Sequence, residues 1–167
     1  MWRVLGIQHR MWQSPKAASV VAGSGEGRTE LTAFDRALLD AGIANLNFLR
    51  VTSILPRGTA FIRVPPFTPG ILTPAVYARI AGHTPGERIA AAVGVGVSRA
   101  DYGVIMEFSH RGTAENAEAI VRGMVEEAMA LRDLPVAEIR VAVKEHVVER
   151  IGCAVAAVVF WPEGAAP

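Results

Sequence analysis

Apolar and β-branched residues fall mostly into short alternating or continuous stretches along this chain, a pattern of strands. They predict strands near residues 4–8, 19–22, 47–55, 59–64, 75–80, 89–97, 102–108, 139–148 and 152–160. Two stretches repeat at three and four residues instead. In residues 113–132, Ala117, Ile120, Val121, Met124, Val125 and Ala128 form one apolar stripe. Thr113 is the expected N-cap, and Pro135 lies beyond the end. A second helix is expected from Glu30 or Ala33 to Ala41, with Leu31, Phe34, Leu38 and Ala41 inward and Gly42 just past its end. Many strands with two long helices predict an α+β layered sandwich whose helices cover the outer sheet faces. The proline-rich stretch 65–74 reads as a loop and is too short to divide two domains, so residues 1–167 are read as one domain.

Composition narrows the possible functions. The chain is 51% hydrophobic and 20% charged, with a formal net charge of +1. That balance carries no footprint for nucleic acid or an anionic membrane surface. A greasy domain with so few charges points toward self-association. The uncharged run 151–161 falls well short of the ~20 residues of a membrane-spanning helix. The apolar stretch near the start is too short for a signal peptide. One cysteine, Cys153, excludes a disulfide framework and a cysteine-rich zinc site. The four histidines, His9, His83, His110 and His146, show no metal-ligand spacing. A reducing cytoplasm is the expected compartment. Only Lys16 and Lys144 are lysines, so a lysine-anchored imine has few candidates.

Several attractive motifs have plain explanations. Gly23-Ser-Gly25-Glu-Gly27 suggests a phosphate cradle, but it lacks the Lys-Ser/Thr of a P-loop and dinucleotide-fold spacing. A flexible turn between strand and helix explains it better. Gly94 and Gly96 lie in a strand-like run and indicate close backbone packing. Glu145-His146 fits a partly exposed strand pair, and Cys153 a small core residue.

Residues 47–56, Asn-Phe-Leu-Arg-Val-Thr-Ser-Ile-Leu-Pro, are more informative. Alternation puts Asn47, Leu49, Val51, Ser53 and Leu55 on one face, with Phe48, Arg50, Thr52 and Ile54 on the other. A buried Asn or Ser on the first face would need hydrogen-bond partners. Ser53 taken alone is a strand-end residue before a turn.

The stretches 21–27, 31–43, 45–47 and 50–56 together resemble the pyruvoyl-dependent arginine decarboxylase family, in its compact form. The likeness continues through Pro85-Gly-Glu87, residues 103–107, residues 143–146 and Gly152-Cys-Ala154. Its most specific piece is Arg50-Val-Thr-Ser-Ile-Leu-Pro56. The resemblance implies an α/β/β/α sandwich with largely antiparallel sheets, assembled as a trimer, with pairing of trimers into hexamers left open. It implies self-cleavage between Thr52 and Ser53 into residues 1–52 (the β chain) and 53–167 (the α chain). For that chemistry the Ser53 hydroxyl attacks the Thr52 carbonyl to make an ester. Elimination then frees the Thr52 carboxylate, and hydrolysis of the resulting dehydroalanine leaves a ketone at the new N-terminus. Thr52 stands where the family usually has Ser, but only its carbonyl is essential to the scheme.

By resemblance, the Ser53-derived pyruvoyl group forms an imine with L-arginine and acts as electron sink, giving agmatine and CO2 for polyamine synthesis. Neither pyridoxal phosphate nor a metal is implied, and the only small-molecule partner is the substrate. Glu107 becomes the proton donor, and its apolar strand neighbours suit a carboxyl kept protonated. Asn47 supports processing and placement. Asp35 receives the substrate guanidinium, although Thr32 to Asp35 also has the spacing of a capping box. Six strand residues separate Asn47 from Ser53, about 20 Å if extended. One ligand can meet both only if the strand bends sharply or a second subunit contributes, so the site is expected between subunits. Two alternatives stay open: the same chemistry on another amino acid, or an unprocessed binding homologue.

Overall fold

A computed structural model describes residues 14–162; the strand expected at 4–8 lies outside them. In chain order the elements are β1 (Ala17–Glu26), α1 (Glu30–Asp40), β2 (Asn47–Arg50), β3 (Ile54–Leu55), β4 (Ala60–Phe61) and β5 (Leu72–Gly82). They continue with β6 (Arg88–Val97), β7 (Gly103–Arg111), α2 (Ala114–Ala130), β8 (Glu138–Val147) and β9 (Gly152–Trp161). One sheet has the order β2-β5-β9-β1-β4 and the other β3-β7-β6-β8. Pairing is antiparallel apart from the short β1–β4 and β2–β5 ladders. The architecture is α+β: α1 packs on the outer face of the first sheet and α2 on that of the second.

The continuous apolar strands lie at the centres. All of β9 is buried, and so is β6 from Ile89 to Gly96, because each has a sheet on one side and a helix on the other. Ile89, Val93, Val95, Ile105, Ala154, Ala156 and Val158 fill the space between the sheets. Prolines limit only the edges: Pro74 enters β5 beside edge strand β2, before β5 begins to pair with β9 at Ala75.

The glycine-rich stretch is the main local correction. Gly23 and Gly25 belong to β1, not to a turn, and Gly27 follows directly. A Cβ at Gly23 would sit 2.3 Å from the Ala37 carbonyl oxygen; one at Gly25 would sit 2.5 Å from Arg36 Cβ. These glycines let α1 approach the strand closely. The inner face of α1 is accordingly Ala33, Ala37 and Leu38, while Leu31 is 71% exposed instead of inward. The helix starts at Thr29, whose hydroxyl forms a capping box with Thr32, so Asp35 is not a capping residue. Its end is as expected: Gly42 has φ +77°, and Ile43 N–H reaches the Leu38 carbonyl. Gly94 and Gly96 serve α2 in the same way, lying under Val121, Val125 and Met129. In α2 the buried stripe takes in Met129, whereas Ile120 is partly exposed.

Glu26, at the end of β1, ties the two sheets together. Its carboxylate accepts from the backbone N–H groups of Glu149, Arg150 and Ile151 at 2.9–3.0 Å. His146 of β8 adds a fourth bond at 2.6 Å. Burial works to raise the Glu26 pKa, but the bonds from Glu149, His146 and Arg150 prevail and hold it below its ordinary value. Glu145 is bound to Arg88 and to the N-terminal Ala114 N–H of α2. Both members of the Glu145-His146 pair therefore have structural partners.

Candidate active site

The expected strand 47–55 is broken. Its first part, β2, pairs with β5 in one sheet; its last part, β3, pairs with β7 in the other. Residues 51–53 form a strap between the sheets. Val51 N–H donates to the Ala75 carbonyl (3.0 Å), and the Ser53 carbonyl accepts from Ile105 N–H (2.8 Å). Thr52 between them is exposed, and its backbone groups have no backbone partner among the described residues. The Thr52–Ser53 peptide thus lies just past the point where the chain leaves one sheet, with a fixed residue on either side.

A cleft of about 390 Å³ opens beside the strap, lined by Arg50, Val51, Thr52, Ser53, Met106 and Glu107. The backbone brings these together because β7, which carries Glu107, is the strand β3 joins. Ser53 is half-buried and Glu107 is about a third exposed. Arg50 Nη2 approaches Glu107 Oε1 at 3.3 Å, and its guanidinium lies 4.8 Å from the centre of the Tyr77 ring. Glu107 is therefore not enclosed by apolar side chains, as its strand neighbours suggested, but stands next to a cation. The sequence assigned Arg50 no role; the one signal was its place on the same strand face as Thr52.

Asn47 and Asp35 do not line this cleft. Asn47 Nδ2 donates to the Gly70 carbonyl (2.9 Å) and steadies the turn leading into β5. Asp35 is exposed on α1 and has no side-chain partner among the described residues. Asp40, by contrast, is engaged: it bonds Lys144 and the Ser24 N–H, which together hold its pKa below the ordinary value. A larger cleft of about 570 Å³ on the β4–β8 side is walled by Val20, Phe61, Arg63 and Arg140 and offers neither a carboxyl acid nor a hydroxyl. Cys153 is buried, and burial pushes its thiol up to about 11, far from a reactive thiolate. Among the described residues no group of three or more His, Cys, Asp or Glu could hold a metal, and no helix is long and apolar enough to cross a membrane.

A hydroxyl and a carboxyl facing one small cleft on an α+β sandwich have the form of a small-molecule enzyme site. The sequence profile of the family described as pyruvoyl-dependent arginine decarboxylase matches residues 17–164. Among the curated relatives, the pyruvoyl-dependent arginine decarboxylase of Methanocaldococcus jannaschii is 39% identical over 92% of this chain and 94% of its own. Those of Thermococcus sibiricus and Pyrococcus abyssi are 43% and 42% identical, each over 90% of this chain and 98% of their own. The chain belongs to the pyruvoyl-dependent arginine decarboxylase family.

Proposed function

We propose that this chain cuts itself between Thr52 and Ser53 and then decarboxylates L-arginine to agmatine. The observation that carries the reading is the strap: a serine held at the crossing between two sheets, with Glu107 across the same cleft. Ser53 fits a pyruvoyl precursor, because its hydroxyl adjoins a peptide bond whose neighbours are pinned to different sheets. Attack on the Thr52 carbonyl transfers that acyl group from nitrogen to oxygen. Elimination then breaks the Cβ–O bond and frees the Thr52 carboxylate, and hydrolysis of the residue left behind releases ammonia. The fragments are residues 1–52 and 53–167, both from a single domain.

The pyruvoyl group supplies an electrophile that accepts the substrate amine and draws off the electron pair left when CO2 departs. Around it, Glu107 delivers the proton that replaces CO2. Asn47 holds the turn at Gly70 and supports processing and placement. Asp35 takes the guanidinium through paired, charge-assisted bonds. No metal or pyridoxal phosphate enters this scheme, and a cytoplasmic setting suits it.

Neither Asp35 nor Asn47 lines the cleft of its own chain, so the complete site is shared between copies in a homotrimer. Supporting this, Leu49, Val51, Ile54, Ile71 and Leu72 are 38–66% exposed on or near β2, the strap and β3. Large apolar side chains left exposed around one site suit a subunit interface. Intact-mass measurement after incubation is expected to show two fragments, the larger with a blocked N-terminus; a single full-length species refutes the enzyme reading. The shared site has its own test. Asp35→Asn and Ser53→Ala chains, each with little arginine turnover alone, should recover part of it when unfolded and refolded together. No recovery in mixed oligomers refutes a site built from two copies. Comparing CO2 release from arginine, ornithine, lysine and histidine tests the substrate.

A further inference from the structure

We propose that Arg50 is a positioning residue for Glu107, holding the acid toward residue 53 from the other side of the cut. The proposal rests on the decarboxylase reading above. Arg50 closes β2 in the first sheet, and Glu107 lies midway along β7 in the second. Their 3.3 Å contact therefore crosses between the sheets beside the strap. Cleavage would leave Arg50 on the short fragment and Glu107 on the long one. The covalent link from residue 50 to residue 53 would be gone, with this ion pair still reaching from one fragment to the other at the cleft.

The guanidinium is itself held. Its carbon lies 4.8 Å from the centre of the Tyr77 ring, and Tyr77 is packed against Phe34 and Phe48, with ring centres 6.3 and 5.8 Å away. A flat cation resting on an aromatic face while its N–H edge meets a carboxylate suits arginine better than lysine. Among the described residues, Arg50 is the one cation in salt-bridge contact with Glu107. Arg111 is bound to Glu87, Lys144 to Asp40 and Arg88 to Glu145, while Arg79 lies over Phe34. Opposite Glu107 on β6 is Val93. Arg50 and Glu107 are 57% and 32% exposed, and ion pairs this open add little to stability. What the contact supplies is direction: a free Glu side chain samples several rotamers, and proton delivery needs one of them.

The test uses Arg50→Gln and Arg50→Lys in the full chain. Both should still be cut. For Arg50→Gln, kcat for arginine should fall roughly tenfold or more, with KM within about twofold, because a misplaced acid slows the proton step without loosening the substrate. Arg50→Lys should recover part of the loss. In D2O, the deuterium at the product carbon that carried CO2 should lose stereochemical purity in Arg50→Gln, because solvent then competes with Glu107. A second readout needs no turnover. In the uncuttable Ser53→Ala chain, Glu107 should hold one side-chain rotamer by NMR scalar couplings and average over several once Arg50→Gln is added. Unchanged kcat and stereochemistry would overturn the proposal, as would a Glu107 rotamer that does not respond to Arg50→Gln. So would an Arg50→Gln chain that stays whole while Glu107→Gln is cut, since Arg50 would then act on the peptide bond. Should the unaltered chain neither cut itself nor release CO2, the decarboxylase reading fails, while the rotamer measurement still decides whether Arg50 positions Glu107.

Discussion

The two sheets are joined at opposite ends in opposite ways. At the end where β1 begins and β9 finishes, they are joined by residues 51–53, an exposed strap with one backbone hydrogen bond on each side of Thr52. At the other end the chain itself crosses twice, at residues 83–87 and 148–151, and the Glu26 carboxylate, a mostly buried group with four donors on two oxygens, fastens β1 to the second crossing and to His146. One junction is a sparsely bonded strap; the other is a double crossing with a fully bonded clasp. A chain cut between residues 52 and 53 has to keep its fold without that bond, and the Glu26 clasp, which ties residue 26 to residues 146–151, adds to the β1–β9 ladder in doing so. Changes at the strap should therefore abolish chemistry and spare stability, and changes at the clasp should do the reverse.

The largest expected effect is on chemistry. On the proposed scheme Ser53→Ala removes the hydroxyl that starts the acyl shift, so cleavage should be absent after any incubation, by intact mass. Its urea midpoint should stay close to that of the uncut parent, because Ser53 contributes its backbone carbonyl, not its hydroxyl, to the β7 ladder. Two fragments from this variant would move the cut elsewhere. Glu26→Ala should show the converse. It strands three N–H groups and the His146 ring, costing about 2–3 kcal/mol by urea denaturation, yet the chain should still cut itself. A Glu26→Ala chain that folds but stays whole would show that the two junctions are not separable.

Much of the fold can be read in the sequence, and what cannot has identifiable physical causes. β6 and β9 are unbroken apolar runs because both faces of each are covered, and such runs are legible without knowing the partners. The helix ends at Thr113 and Gly42 are local chemistry and fall where local chemistry puts them. The break at residues 51–53 is not legible. Alternation continues across it, since a period of two says which side a residue faces but not which sheet it belongs to. Gly23 and Gly25 read as a turn because glycine usually breaks strands; the helix that requires them lies elsewhere in the chain. That close approach also rolls α1 onto its alanines and leaves Leu31 outside, against the apparent apolar stripe. At the site, Ser53 and Glu107 could be picked out by likeness to a family. The Arg50 contact depends on which strand β3 joins, and nothing local encodes that.

Acid should weaken the clasp. The Glu26 carboxyl is held below its ordinary value in the folded chain, and so is that of Asp40 through Lys144 and the Ser24 N–H. For carboxyls shifted down, the stabilisation is fully present above the unfolded value and is lost as pH falls through the folded one. The urea midpoint of the uncut Ser53→Ala chain should therefore drop below about pH 4. The drop should be smaller when Glu26→Ala is added, because the variant has already lost that contribution. Equal slopes in the two chains would remove Glu26 as the source.

The smallest effect is expected at Thr52. Thr52→Ser restores the family's usual hydroxyl residue and removes one methyl from an exposed position. The reacting carbonyl is unchanged, and no neighbour packs against the lost methyl closely enough to bury it. Stability should hold within about 0.5 kcal/mol, as for an ordinary surface substitution. The cleavage rate is the more sensitive measure, because a β-branched side chain restricts the backbone at the carbonyl that Ser53 must reach. Relieving that restriction should speed processing by a few-fold, about 1 kcal/mol of barrier, when fragments are followed by mass over time. A slower Thr52→Ser chain would mean that the stiffness of the strap helps hold the carbonyl in line, and the sparsely bonded junction would then owe part of its geometry to one side chain.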